Sequence, residues 1–235
     1  MDKIAKQRLN IIMLADCSKS MQGERISQVN QALRDIKNYL IELENENSNV
    51  DFYITVIPFS TEASYLNDQL TTEIKEFEFN NIKAGGWSNL HLAYSKLTDI
   101  LKKESQGGIM PDFGGVAPII LLMTDGHPTK YPLKEEMKAL KALPWYNVAL
   151  KYGIAIDLKD ARTYEVLREF VDGNGDVVEC LDSKMLKNII KIIVLTASKV
   201  KSTSSAIRKN KTITVAEEIQ QQVQNALTEV DDWEW

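Results

Sequence analysis

The chain has 235 residues, 44% hydrophobic and 26% charged, with a net charge of −5. That is enough chain to bury a sizeable core without a disulfide or metal staple, and the acidic balance argues against a duplex-binding protein, which carries a basic face. Two cysteines, Cys17 and Cys180, are too few for a secreted disulfide framework.

The first apolar run, Leu9 to Ala15, stops at Asp16. Its unbroken apolar part, the five residues Ile11 to Ala15, is too short for a secretory leader, which needs roughly 7–15 apolar residues and then a small-residue cleavage site. No run approaches the ~18 apolar residues of a membrane span. A cytoplasmic, bacterial-type protein is the expectation. Further runs follow at Phe52–Phe59, Ala117–Met123 and Val148–Ile156. Continuous apolar runs of this length suit strands buried on both faces. Ile74–Phe79 alternates and predicts a short edge strand, and Val177–Cys180 a last strand.

Helical stripes lie between these runs. Ile26, Val29, Leu33, Ile36, Leu40 and Leu43 step by three and four. Leu90, Ala93, Leu97, Ile100 and Leu101 form a second stripe, and Tyr164, Leu167 and Phe170 a third. Leu186, Ile189, Ile190, Ile193, Val194 and Ala197 form another. The alternation predicts an α/β fold: an open, doubly wound, mostly parallel sheet with helices on both faces.

From about Lys199 the composition shifts. Residues 199–214 carry Lys and Arg but no acid, and residues 215–235 carry Asp and Glu but no base. We read residues 1–199 as the folded domain and 200–235 as a basic linker with an acidic amphipathic tail. Val215, Ile219, Val223, Ala226 and Val230 give the tail one more helical stripe, and it runs on to Asp231-Asp232-Trp233-Glu234-Trp235. An isolated helix of that length is marginal in water. The tail therefore either docks on something or serves as a solvated appendage.

Ligands of an open α/β sheet sit at the carboxyl ends of its strands. Asp16-Cys17-Ser18-Lys19-Ser20 follows the first strand, and Thr124-Asp125-Gly126 follows the third run. Between them, Gly85-Gly86-Trp87-Ser88 opens a helix. Together these segments offer two carboxylates, Asp16 and Asp125, and the three serine hydroxyls of Ser18, Ser20 and Ser88. Hard oxygen donors without His or Cys suit Mg²⁺ or Mn²⁺ rather than zinc or copper. An open coordination position would accept a partner's Asp or Glu.

The three pieces in this order resemble the metal-ion-dependent adhesion site of a von Willebrand factor A domain. The opening "LADCSKSM" and the segment "LLMTDGHPT" look most like the bacterial tellurium-resistance-type proteins of that family. The resemblance implies Asp16, Ser18, Ser20, Ser88 and Asp125 as metal ligands. It also implies a non-catalytic, metal-dependent protein-binding role in a stress response. Its candidate partners are a protein-phosphatase-2C-like protein and a protein kinase.

The main alternative is phosphoryl transfer through Asp16, as in haloacid-dehalogenase-type phosphatases or response-regulator receivers. Such phosphatases need a second carboxylate two residues on, where this chain has Ser18, which cannot act as acid or base at neutral pH. His91 and His127 read as an exposed helix start and a loop residue. Cys17 and Cys180 read as packing residues. The pairs Gly107-Gly108 and Gly114-Gly115 lack the following Lys-Ser/Thr of a phosphate loop and read as a connector.

Overall fold

A computed structural model describes residues 6–194, apart from 47–49, 158–160, 173–174, 181, 183 and 192–193. The basic linker, the acidic tail and the proposed boundary at residue 199 lie outside the described residues.

The elements run β1 (Gln7–Asp16), α1 (Glu24–Glu46), β2 (Val50–Phe59), β3 (Thr72–Glu73), α2 (Leu90–Ile100), β4 (Ile119–Thr124), α3 (Lys134–Lys141), α4 (Pro144–Val148), β5 (Leu150–Ile156), α5 (Ala161–Val171) and β6 (Gly175–Cys180). They form one six-stranded sheet of order β3-β2-β1-β4-β5-β6. All neighbours pair parallel except β2 with β3. This is the doubly wound, mostly parallel sheet that the alternation predicts.

The two-residue period of a strand distributes the core. In β1, Ile11, Met13 and Ala15 face one way, with α1 and the helical residues 184–191. Ile12 and Leu14 face the other way, with α2, α3 and α5. In β4, Ile119, Leu121 and Met123 join the first layer while Ile120 and Leu122 join the second. The buried stripe of α1 is the one expected from the sequence, Ile26 to Leu43. A fully buried Leu or Ile contributes roughly 1.5–3 kcal/mol, so these two layers hold the strand ends in place.

Two expectations need correction. Ile74–Phe79 is not a strand: the edge strand is Thr72–Glu73, antiparallel to β2. The chain then turns, with Phe77 N–H donating to Glu73 C=O at 3.0 Å. The buried residues Ile74 and Phe77 are three apart, a turn spacing that imitates strand alternation. The fourth run also begins late. Leu143-Pro144 starts the short helix α4, with Pro at its first position, where a missing N–H costs nothing. Strand β5 therefore starts at Leu150 rather than at Val148.

Pro58 sits inside β2, yet β2 is no edge strand. Its register partner on the inner side is Ala15, while its C=O accepts from Ser64 N–H on the outer side. Strand β3 pairs only with Tyr53 and Ile54, so the N–H that proline lacks has no ladder to serve.

Candidate metal centre

Strand order reverses at β1, with β2 on one side and β4 on the other. The carboxyl ends of β1 and β4 thus flank the crevice where α/β sheets bind ligands. Asp16 is the last residue of β1, and Asp125 directly follows β4.

Asp16 is fully buried. Its Oδ1 accepts from Ser18 N–H at 2.8 Å. Its Oδ2 accepts from Ser88 Oγ at 2.9 Å and Thr124 Oγ1 at 2.7 Å. Burial pushes the Asp16 carboxyl above its ordinary range, while the bonds from Thr124, Ser18 and Ser88 pull it down. Among the described residues no cationic side chain pairs with it.

Ser20 Oγ donates to Asp125 Oδ1 at 2.8 Å and lies 3.1 Å from Ser18 Oγ. All five residues expected from the sequence thus meet in one hydrogen-bonded network. Ser20 and Ser88 direct their protons at carboxylates, which leaves their oxygen lone pairs available to a cation. Two carboxylates and three hydroxyls, with no nitrogen or sulfur donor among them, fit a hard divalent ion.

The loop carrying Ser88 is held from several directions. Asn30, buried on α1, clamps Ile82 through two bonds of 2.9 Å, one to its C=O and one from its N–H. Gly85 N–H donates to Cys17 C=O, and Lys19 N–H to Gly86 C=O. Trp87 N–H donates to Thr61 Oγ1 at 3.1 Å. Gly86 has φ +79°, and a Cβ there would lie 2.2 Å from Thr61 Oγ1, so a side chain at this position would displace the loop. The result is a cleft of about 460 Å³ floored by Ser18, Ser20 and Ser88, with Lys19, Trp87 and His127 on its walls.

Two participants lie outside the expected five. Thr124, within the Thr124-Asp125-Gly126 motif, donates a second hydroxyl to Asp16 Oδ2 beside that of Ser88. Arg25, at the start of α1, donates from Nη1 to Asp125 Oδ2 at 2.6 Å and to Ser20 C=O at 2.9 Å. Its Nε and Nη2 reach Asp157 Oδ2, beyond the end of β5, at 3.1 and 2.6 Å. One guanidinium thereby fixes the Asp125 carboxylate and ties three segments together. The Asp125 side chain is only 1% exposed. Arg25→Met strips a buried carboxylate of its cation and is expected to cost roughly 1–3 kcal/mol, read as a lower chemical-denaturation midpoint in EDTA. Unchanged stability would mean that solvent already serves Asp125.

The remaining residues singled out in the sequence have plainer roles. Cys17 is buried, its Sγ donating to Phe59 C=O at 3.2 Å, and burial pushes its thiol up to about 11. Cys180 is likewise buried and pushed up to about 12. Both are inert packing thiols at neutral pH. His91 is not an exposed helix start: it is half-buried at the second residue of α2, with Nδ1 buried and lacking a hydrogen-bond partner among the described residues. A second acidic group, Glu44, Asp51 and Glu73, brings carboxylate oxygens within 4.8 Å of one another away from the crevice. Lys75 pairs with Glu44 there, and Lys6 with Asp51.

The family model for the von Willebrand factor type A domain matches residues 10–192. The chain belongs to this family. Among solved structures, the von Willebrand factor A domain architecture recurs in a von Willebrand factor type A protein from Catenulispora acidiphila. That match has a TM-score of 0.59 at 13% identity, over 82% of this chain and 43% of that one. It recurs also in proximal thread matrix protein 1 from the mussel byssus, described with a zinc-occupied MIDAS motif. There the TM-score is 0.54 at 18% identity, over 83% of this chain and 48% of that one. Inter-alpha-trypsin inhibitor heavy chain H4 of Bos taurus is 27% identical over 184 residues, 74% of this chain and 18% of the relative. The von Willebrand factor A chain described here thus spans less than a fifth of the curated relatives it matches.

Proposed function

We propose that this von Willebrand factor A domain is a non-catalytic, metal-dependent protein-binding module. Asp16, Ser18, Ser20, Ser88 and Asp125 hold a Mg²⁺ or Mn²⁺ ion, with a position left for an Asp or Glu of a protein partner. The observation that carries this reading is the buried Asp16 carboxylate, surrounded by hydroxyls and, among the described residues, without a counter-charge. Burying such a charge alone is costly, and a divalent ion on the cleft side offsets that cost. When bound, the ion supplies an electrophilic position for an anionic oxygen. The protein's own part is to orient the donors, with Arg25 fixing Asp125 and the Gly85–Trp87 turn presenting Ser88. The byssus relative takes zinc in its motif, but the all-oxygen donor set here favours the harder ions.

The resemblance of the Asp16 and Asp125 segments to tellurium-resistance-type proteins supports a cytoplasmic stress-response setting. It makes a protein-phosphatase-2C-like protein and a protein kinase the candidate partners. The two unpaired cysteines fit a reducing compartment. Phosphoryl transfer is the weaker reading: both Asp16 oxygens are engaged, and Ser18 faces Ser20 rather than supplying a carboxylate.

Calorimetric titration of the full chain with Mn²⁺ tests the module. One ion per chain is expected, weakened on the order of tenfold by Ser88→Ala, the loss of one neutral ligand or about 1.4 kcal/mol. Failure to bind, or full affinity in the variant, overturns the reading. Mg²⁺-dependent hydrolysis of p-nitrophenyl phosphate that disappears in Asp16→Asn would instead establish phosphoryl transfer.

A further inference from the structure

Trp87 is 69% exposed, on a loop whose backbone is anchored on both sides of it. The Trp87 N–H is held by Thr61, Gly86 C=O by Lys19, and Ser88 C=O accepts from Thr129 N–H at 2.7 Å. A large apolar side chain displayed on a fixed backbone loses little freedom on binding and is the type of residue that dominates interfaces. Lys19 is exposed on the same cleft and has no carboxylate partner among the described residues. The cleft therefore offers an aromatic surface and a cation beside the hydroxyls of Ser18, Ser20 and Ser88. A complementary ligand carries several carboxylates interleaved with aromatic side chains.

Residues 231–235, Asp-Asp-Trp-Glu-Trp, have that composition. We propose, resting on the metal-site reading, that this segment occupies the cleft of its own chain. A carboxylate of Asp231, Asp232 or Glu234 takes the open metal position, a second faces Lys19, and a tail indole packs on Trp87. At up to about 3.3 Å per residue, the stretch of sequence from 195 to 230 is long enough to reach across a domain of this size. A tether of that length holds the tail at an effective concentration near the millimolar range, so weak contacts suffice for occupancy. The tail then acts as a built-in competitor that an outside acidic partner must displace.

Mn²⁺ affinity of the full chain reads this out, because a tail carboxylate is one more ligand. Neutralising Asp231→Asn, Asp232→Asn and Glu234→Gln together is expected to weaken Mn²⁺ binding on the order of tenfold. Trp87→Ala should weaken it in the unchanged chain and add nothing once the three carboxylates are gone, the non-additivity of a shared contact. Neutralising Glu217, Glu218 and Glu229 should leave affinity unchanged. An equal loss in that control would show a general charge effect and overturn the proposal. So would Mn²⁺ binding of equal strength with and without the three carboxylates, which leaves the metal site itself standing. Absence of Mn²⁺ binding in every form overturns the metal-site reading instead. An effect that vanishes on dilution of the protein would assign the occupant to a second copy, against the intramolecular assignment.

Discussion

Asp16→Asn is expected to reduce Mn²⁺ affinity at least about 100-fold, some 2.7 kcal/mol, and at the same time to leave the metal-free protein as stable or more stable. The two halves of this result share one cause. Asp16 is fully buried, and its donors are hydroxyls and one backbone N–H, none of them a charge. An ion loses one of its two anionic ligands in the variant. The metal-free fold loses only a buried charge, since the asparagine carbonyl still accepts and the hydroxyls of Ser88 and Thr124 can rotate to accept from its amide.

The sign with pH follows. Burial raises the folded-state pKa of Asp16 above the ordinary 3.8. Between those two values the folded chain binds the extra proton, so stability falls as pH rises through that window. Above it, the wild-type chain carries the full penalty and the variant none. Denaturation in EDTA at pH 4 and pH 7 reads this out: the variant's advantage should grow with pH. Affinity for Mn²⁺ undiminished by Asp16→Asn would remove Asp16 from the ligand set.

Lys151→Met should stabilise the protein by about 1–2 kcal/mol at pH 7. Lys151 lies within β5, 1% exposed, its Nζ donating to Tyr146 C=O at 3.0 Å. Burial lowers its pKa from 10.5 to about 8, only partly opposed by Asp172. A shift of that size corresponds to about 3 kcal/mol of cost wherever the lysine is charged. Losing the bond to the Tyr146 carbonyl offsets part of the gain, roughly 1–2 kcal/mol. The cost is complete below pH 8. Between pH 8 and 10.5 the unfolded chain holds a proton the folded chain has released, so wild-type stability rises relative to the variant. Melting curves at pH 7 and pH 10 should show a gap of several degrees that closes at the higher pH. A variant less stable than wild type at pH 7 would show that the carbonyl bond and the cation over the Tyr146 ring, 4.5 Å from its centroid, outweigh desolvation.

The legible parts of this fold were those where one residue's environment is set by its strand or helix. The run ending at Asp16 is a strand buried on both faces, and a carboxylate stopping such a run marks its functional end. Helix α1 was legible because its apolar stripe is continuous from Ile26 to Leu43. Strand β3 was not, since Thr72 and Glu73 carry no apolar pattern and pair through backbone alone. The register of Ser88 against Asp16 depended on the Gly85–Trp87 turn, and the backbone bonds to Cys17, Lys19 and Thr61 fix it. Arg25 was invisible for a different reason. Its partners lie 100 and 132 residues away, and beside Glu24 at a helix start an arginine reads as ordinary surface. Thr124 stood in a recognised motif, but only the fold shows its hydroxyl turned toward Asp16.

The spread of the donor network along the chain has a thermodynamic consequence. Ser88 meets Asp16 across 72 positions and Ser20 meets Asp125 across 105, so no unfolded chain holds these oxygens together. An ion seated on them acts as a removable crosslink that closes two long loops, and its whole binding free energy adds to folding. At a hundredfold excess over its dissociation constant that amounts to about 2.7 kcal/mol. With an ion seated there, the ends of β1 and β4 would be tied to each other and to the Ser88 loop, and the crevice is expected to open later than the sheet edges.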